Sequence, residues 1–185
     1  MRRRLELRRL RLRAVWLLII PFYIFASPTT DLIWWGAGVS TAGLALRAWA
    51  AGSIRKDREL ATAGPYAHTR NPLYLGSFIL GVGVTIAGGQ WVLGVAFLSF
   101  FILVYRATVF REAGELEARF GESYRVYAAQ VPSVLPRVIA HCGERSESAP
   151  MGFSGERYMR NREWEAALGA AAAFGALALK LRLWP

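Results

Sequence analysis

Five stretches of mainly apolar residues follow one another along the chain, separated by short polar or strongly basic segments. They cover residues 14–26, 32–50, 73–89, 91–105 and 164–179. An α-helix rises about 1.5 Å per residue, so about 20 residues cross the roughly 30 Å hydrocarbon core of a bilayer. With their flanks included, all but the first run reach that length. The pattern predicts an all-α, polytopic membrane helix bundle with about five transmembrane helices.

A different periodicity follows the fourth run. Apolar residues step by intervals of four, four, three and four along one helix face, at Leu116, Phe120, Tyr124, Tyr127 and Val131. This spacing is typical of an amphipathic helix. We therefore expect a single membrane domain, made of a basic N-terminus at 1–13, four transmembrane helices at 14–110, a cytoplasmic amphipathic helix at 111–137, a polar linker at 138–163 and a fifth transmembrane helix at 164–183.

The composition agrees with a membrane protein. Hydrophobic residues make up 54% of the 185 residues and charged residues 19%, whereas soluble domains are about 25% charged. Buried helices of a soluble bundle are the alternative, but five such runs leave too little polar surface to cover one. One cysteine excludes an internal disulfide, and with two histidines it argues against a zinc site. We assign no metal.

Positive charge is concentrated in three segments. Most of the 23 lysines and arginines lie before residue 14, in the loop at 53–72 or within 111–163, whereas the connections at 27–31 and 88–90 carry none. The positive-inside rule makes these basic segments, including the N-terminus, cytoplasmic. We expect a bacterial inner (plasma) membrane protein. A nucleic-acid arm or a signal peptide are alternatives for the arginine-rich start, but we interpret it as a topology signal that contacts lipid headgroups, with no nucleic-acid partner.

The loop before the third run carries turn and helix-start signals. Gly64-Pro65 marks a turn, and Pro72 suits the first turn of a helix that Asn71 can cap. A helix N-terminus at the interface offers N–H groups to an anion, and Arg70 adds a fixed positive charge. A capped helix start with an arginine that reaches the headgroups is the simpler interpretation of the loop alone.

Two further features concern helix packing. Small residues spaced by four, Gly38 with Ala42 and Ser77 with Gly81, predict close helix contacts in the membrane. Arg47 interrupts the second run near its cytoplasmic end, where we interpret it as an anchor that extends to the headgroups.

Two motifs together resemble a known family. Residues 64–76, GPYAHTRNPLYLG, resemble the G-x-Y-x-x-x-R-H-P-x-Y-x-G signature of the isoprenylcysteine carboxyl methyltransferase family, and related phospholipid methyltransferases share much of it. The second motif of the family is matched by Glu112, Leu116, Phe120-Gly121, Tyr124, Tyr127 and Val131-Pro132. The resemblance covers roughly residues 40–137. It implies an integral membrane enzyme that uses S-adenosylmethionine at the cytosolic face and receives a lipophilic acceptor from within the bilayer.

The resemblance also implies particular site residues. Those expected to bind the cofactor are Leu60, Ala61, Tyr66, Arg70, Asn71, Pro72, Leu73, Tyr74 and Glu112, the last at the cofactor's amino group. Three positions depart from the family pattern. Asn71 replaces the usual His, Ala113 stands where a second Glu is common, and Thr108 stands where eukaryotic members hold the substrate carboxylate with Arg. Arg106 or Arg111 would substitute for that arginine at the catalytic centre.

The function hypothesis is methyl transfer from S-adenosylmethionine to a lipophilic acceptor, such as the carboxylate of a prenylcysteine-like molecule. Phospholipid amine N-methylation is the alternative acceptor chemistry, and an ammonium would first lose a proton to His68 or Tyr74. An NADPH-dependent membrane reductase of sterol-reductase-like type also stays open, because basic residues suited to a 2′-phosphate lie in the same loop. These are Arg55, Lys56 and Arg58. A membrane protein without catalysis is the third possibility. The sequence leaves the acceptor and the oligomeric state open.

Overall fold

A computed structural model describes residues 19–54, 60–140 and 152–184. These residues form helices and loops without any strand, which confirms the all-α class for the described part. The helices are α1 (described at 19–25), α2 (Thr30–Ser53), α3 (Pro72–Ala87), α4 (Trp91–Phe120), α5 (Glu122–Gln130), α6 (Gly155–Arg160) and α7 (Trp164–Leu183), with a 3₁₀ turn at Gly64–Ala67. The basic start at 1–13 and the loop residues Arg55, Lys56 and Arg58 lie outside the described residues.

Helices α2 and α3 form the closest pair, because glycines let their backbones touch. A Cβ atom placed on Gly83 would lie 2.4 Å from the carbonyl oxygen of Gly36. The hydroxyl of Ser40 donates to the carbonyl of Leu80 across the same interface, over 3.0 Å. Small residues at a membrane helix interface allow this approach. The loop before α3 connects the two helices of this pair.

The small residues named from the four-residue spacing contact neighbouring helices only in part. A Cβ atom on Gly38 would meet nothing within 4 Å, whereas one on Gly81 would lie against the ring of Phe97 in α4. The hydroxyl of Ser77 accepts a hydrogen bond from Arg47 in α2. The four-residue spacing of small residues therefore does not specify which helix each residue contacts.

Two of the described helices are long and apolar enough to cross a membrane, α4 and α7, with mean hydropathy of 2.1 and 1.5 in their most apolar windows. Only 6% and 11% of those windows are buried inside the protein. The core helix of a soluble protein would be mostly buried, so these outward-facing apolar side chains point to a membrane protein. The expected count of about five spans is not confirmed. Helix α3 has only 16 residues, and α2 carries Asp31 and Arg47.

Helix α4 continues past the expected boundary at residue 110 and ends at Phe120. Gly121 then interrupts the helix with φ 54° and ψ −124°, a conformation that residues with a side chain rarely adopt. Helix α5 turns back against the loop, and its apolar face buries Tyr124 and Tyr127 together with Val131. The glycine therefore allows α5 to cover the end of the bundle instead of continuing α4.

The described part of the expected linker docks against the end of α2. Arg157 donates from Nε to the carbonyl of Gly52 over 2.5 Å, and Asn161 donates to the carbonyl of Ala51 over 2.8 Å. The ring of Phe153 occupies the space beside Gly52 that a side chain would need. Helix α6 and the turn after it thus attach the start of α7 to the end of α2.

Lys180 lies near the C-terminal end of α7, on the side opposite the basic loops. Its ammonium donates to the carbonyls of Tyr23 and Ile24 at the end of α1, over 2.5 and 2.8 Å. The last carbonyls of a helix have no partners within it and attract cations. This basic residue therefore caps α1.

Candidate functional site

A cavity of about 950 Å³ lies at the end of the bundle where α2 ends and α3 begins. Its walls come from the loop before α3, the second half of α4, α5 and the residue before α7. Small-molecule sites in proteins span about 300–1,000 Å³. The cavity is therefore large enough for a nucleoside-sized cofactor beside part of a second molecule.

Nearly all of the residues expected in the site line this cavity. The lining includes Leu60, Ala61, Tyr66, Arg70, Asn71, Pro72, Leu73, Tyr74, Arg106 and Glu112. Arg111 does not line it. That side chain is 62% exposed and pairs with Glu115 at 3.7 Å, one helical turn further on. Of the two arginines expected near the acceptor, only Arg106 lines the cavity.

The two motifs meet at one hydrogen bond. The phenol of Tyr74 in the first turn of α3 donates to Oε1 of Glu112 in α4, and the two oxygens lie 2.5 Å apart. The ring of Tyr105 meets the ring of Tyr74 edge-on, with centroids 5.1 Å apart. Glu112 is half-buried, so its carboxylate faces the cavity on one side and is held by the tyrosine on the other.

The loop before α3 is attached to the segment that follows α5. Asn71 donates from Nδ2 to the carbonyl of Ser133 over 2.9 Å, and the backbone N–H of Arg70 donates to the carbonyl of Pro132 over 2.9 Å. The expected side-chain cap of α3 is wrong, because the Asn71 side chain makes no bond to the helix. Its amide is engaged by Ser133 instead, and the cap position is filled by backbone alone.

Two buried polar atoms in the cavity wall have no hydrogen-bond partner among the described residues. They are Nε of Arg70 and the hydroxyl of Tyr105. The same guanidinium donates from Nη1 to the hydroxyl of Tyr124 over 3.2 Å, which fixes its plane. Buried polar groups are nearly always satisfied, so two unpaired ones in a single cavity indicate room for a polar ligand.

Two tyrosines, Tyr66 and Tyr127, connect the loop before α3 to α5. The hydroxyl of Tyr127 donates to the carbonyl of Tyr66 over 2.8 Å. Burial raises the pKa of the Tyr66 phenol above its usual value of about 10, and the nearby Tyr127, Glu163 and Glu112 raise it further. Burial likewise raises the pKa of Tyr127, although Arg70 opposes the shift. Both phenols therefore stay neutral at physiological pH.

An ion pair that sequence reasoning missed also lines the cavity. Arg47 donates from Nη2 and Nε to the same carboxylate oxygen of Glu163, over 2.7 and 3.0 Å. The side chains are only 21% and 9% exposed. The interpretation of Arg47 as a headgroup anchor is therefore wrong. The available signal was the charge itself, because an ionisable residue within an apolar run is rare without a function.

Two other residues named in the sequence analysis, His68 and Thr108, lie away from the cavity. His68 does not line the cavity, and its Nδ1 lies 2.8 Å from the carbonyl of Arg137, to which it donates. Thr108 donates to the carbonyl of Val104 within its own helix over 2.9 Å and likewise does not line the cavity. Within residues 19–54, 60–140 and 152–184 there is no group of three or more His, Cys, Asp or Glu that could hold a metal ion.

A family model described as phospholipid methyltransferase matches residues 33–123, which include both the loop before α3 and Glu112. Residues 33–123, somewhat less than half of the chain, are thus similar to the phospholipid methyltransferase family. The resemblance inferred from the two motifs is thereby confirmed for this stretch. The cavity extends beyond residues 33–123, because Tyr124, Ser133 and Glu163 also line it.

Of three proteins similar to this chain, one is named as a methyltransferase and two are named as metal-resistance proteins. Protein-S-isoprenylcysteine O-methyltransferase of Schizosaccharomyces pombe is 34% identical over 83 residues, which are 45% of this chain and 35% of that protein. Nickel-cobalt-cadmium resistance protein NccN of Alcaligenes xylosoxydans xylosoxydans is 28% identical over 163 residues, 81% of this chain and 76% of that protein. Cobalt-zinc-cadmium resistance protein CzcN of Cupriavidus metallidurans is 35% identical over 113 residues, 59% of this chain and 50% of that protein. The chain thus spans only part of each relative. No solved structure matches it at a significant level.

Proposed function

We propose that this protein transfers a methyl group from S-adenosylmethionine to a lipophilic acceptor held in the membrane. The observation that supports this most directly is the meeting of the two motifs at the Tyr74–Glu112 hydrogen bond, in the wall of a cavity of about 950 Å³. The acceptor we favour is a carboxylate on a prenylcysteine-like or similar molecule. A relative of this chain is named as an O-methyltransferase of isoprenylcysteine.

The residues present fit this cofactor. Glu112 offers a carboxylate to an amino group, and the unpaired Nε of Arg70 offers a donor to a carboxylate. Leu60 and Ala61 supply an apolar wall for the nucleoside part. When bound, the cofactor supplies a methyl group already activated on a sulfonium. The chain therefore has to hold, orient and desolvate the two reactants, and no covalent intermediate with the protein is required.

The acceptor side of the cavity is formed by α4. Val109 and Phe110 contribute apolar surface next to Arg106, and Phe110 is 71% exposed on the outer face of the helix. An acceptor with an apolar tail would lie along this face with its polar end toward Arg106. A carboxylate needs no general base, whereas an ammonium does. Of the two residues expected to take that proton, His68 does not line the cavity, and the Tyr74 phenol is already protonated and donates to Glu112.

The test begins with binding. Detergent-purified protein is titrated calorimetrically with S-adenosylhomocysteine and separately with NADPH. We expect binding of the first and no heat from the second. Binding of NADPH alone would refute the methyltransferase proposal in favour of a reductase, and binding of neither would favour a membrane protein without this catalysis.

Acceptor chemistry is tested with a radiolabelled methyl donor and bacterial lipid extracts. A methyl ester releases volatile labelled methanol in base, whereas an N-methyl group does not. We expect base-labile label in a lipid fraction. Base-stable label would replace the carboxylate acceptor with a phospholipid amine.

We further propose that the cavity opens at the cytosolic face of the bacterial inner membrane, with a cytoplasmic N-terminus. The basic loops support this orientation through the positive-inside rule. A reporter fused after residue 150 should then be cytoplasmic, and one fused after residue 89 periplasmic. The reverse result would invert the proposed topology.

A further inference from the structure

The Arg47–Glu163 ion pair lies among apolar helices rather than at the protein surface. Both nitrogens of Arg47 that face the carboxylate reach a single oxygen of Glu163, at 2.7 and 3.0 Å, and the Glu163 side chain is 9% exposed. Removing two charges from water costs several kcal/mol per ion, which their attraction repays only in good geometry. A buried pair of this kind is poorly explained by stability alone.

The third nitrogen of Arg47 reaches the first turns of α3. Its Nη1 donates to the carbonyl of Leu73 over 3.3 Å and to the hydroxyl of Ser77. The Ser77 hydroxyl in turn donates to the same Leu73 carbonyl over 2.8 Å. Gly76 makes room for this crossing, since a Cβ atom there would lie 2.6 Å from Cγ of Arg47. The guanidinium therefore holds the backbone next to Tyr74.

Glu163 is presented by an unusual turn between α6 and α7. The preceding residue, Arg162, has φ 57°, which is uncommon for a residue with a side chain. Asn161, one residue earlier, is fixed to the end of α2 by its bond to Ala51. Glu163 itself occupies the cap position of α7, where the helix dipole favours a carboxylate. The turn thus directs one acidic side chain toward α2.

The Arg47–Glu163 ion pair also separates two cavities. On one side lies the large cavity, and on the other a mainly apolar crevice of about 260 Å³ between α2 and α7, with Arg47 and Glu163 in both walls. Leu44 and Ala167 line the crevice. Removal of the ion pair would join the two spaces and release the turn of α3 that they share.

We infer that Glu163 is a positioning residue, which acts through Arg47 to hold the first turn of α3 in the geometry that the cofactor requires. Glu163 lies outside residues 33–123, so the C-terminal segment would complete a cavity that residues 33–123 leave open. This inference rests on the proposed function, because it assumes that the turn containing Leu73 and Tyr74 contacts the cofactor.

The decisive variant is Glu163→Gln, which keeps the shape of the side chain and removes its charge. Glu156→Gln is the matched control, since Glu156 is 77% exposed in α6 and pairs with Arg160 on the surface. Each variant is purified in detergent and measured for thermal stability, calorimetric affinity for S-adenosylhomocysteine, and KM and kcat for the methyl donor.

We expect Glu163→Gln to raise both the Kd for S-adenosylhomocysteine and the KM for the donor about tenfold, with kcat changed less than about threefold. Glu156→Gln should match the wild type. Glu163→Asp, which retains the charge on a shorter side chain, should restore part of the affinity. A purely structural pair would change the melting temperature and leave the Kd of the folded protein unaltered.

A second variant covers the case in which Glu163→Gln fails to fold because Arg47 is left unpaired. The double variant Arg47→Gln with Glu163→Gln removes both charges together, which often costs less than removing one. It should fold and still show the raised Kd. Wild-type affinity in either folded variant would overturn the inference alone. A wild-type protein that binds no S-adenosylhomocysteine would refute the proposed function, and this inference with it.

Discussion

Replacing Glu112 with glutamine removes the carboxylate charge while keeping the length and shape of the side chain. At about 4 Å, an ammonium and a carboxylate attract each other by about 4 kcal/mol at an effective dielectric constant of about 20. Desolvation offsets much of this, and hydrogen bonds to charged groups leave about 1.5–3 kcal/mol net. Glu112 is half-buried and held by Tyr74 at 2.5 Å. We expect Glu112→Gln to weaken cofactor affinity at least about tenfold, or 1.4 kcal/mol.

Calorimetric titration with S-adenosylhomocysteine measures this loss directly. Tyr74→Phe keeps the charge of Glu112 and removes only the donor that orients it, so we expect a smaller loss of about threefold, near 0.7 kcal/mol. Glu122→Gln serves as the control, because Glu122 is 77% exposed and pairs with Arg125 on α5. Affinity in Glu112→Gln that equals the control would remove Glu112 from the cofactor site and refute the reasoning.

Three further predictions concern backbone geometry and the acceptor. Gly83→Ala should lower the free energy of unfolding by about 1–3 kcal/mol, because the new Cβ would lie 2.4 Å from a carbonyl oxygen of α2. Thermal melts measure this loss. Gly38→Ala is the control, because a Cβ there would lie in open space and should not destabilise the protein. Gly121→Ala should cost about 1–2 kcal/mol, because φ is 54° there; an unchanged melting temperature would contradict a required turn. Arg106→Gln should raise the acceptor KM about tenfold and Arg111→Gln should leave it unchanged, since only Arg106 lines the cavity; equal effects would refute that assignment.

The core of the candidate cavity could be predicted because both motifs are local in sequence. Proline suits the first turn of a helix because its missing N–H would have no partner there. Pro72 therefore predicts the start of α3, which places Tyr74 in the first turn. The apolar spacing from Leu116 to Val131 indicates which face of the chain turns inward. The motifs lie 38 residues apart at Tyr74 and Glu112, and their order in the family predicts that the loop before α3 meets the end of α4. The length of the resulting hydrogen bond was not predictable.

The number of spans and the contacts of Arg47 could not be predicted for a different physical reason. A run of apolar residues reports composition, whereas the partner of a buried charge depends on how distant segments pack. Arg47 and Glu163 are 116 residues apart, and Glu163 follows a segment that composition alone describes as a polar linker. The partner therefore depends on α6 docking against the end of α2, which no local pattern encodes.

The departures from the family pattern lie at positions 71, 108 and 113. At position 71 the usual histidine is an asparagine, whose amide donates to the Ser133 carbonyl over 2.9 Å. A ring N–H of histidine is a donor of the same kind, so the substitution changes the donor while the contact that attaches the loop to the end of α5 can be kept. Ala113 lines the cavity and Thr108 does not. Neither position takes part in the Tyr74–Glu112 hydrogen bond, so the proposed contact of Glu112 with the cofactor's amino group does not depend on these two departures.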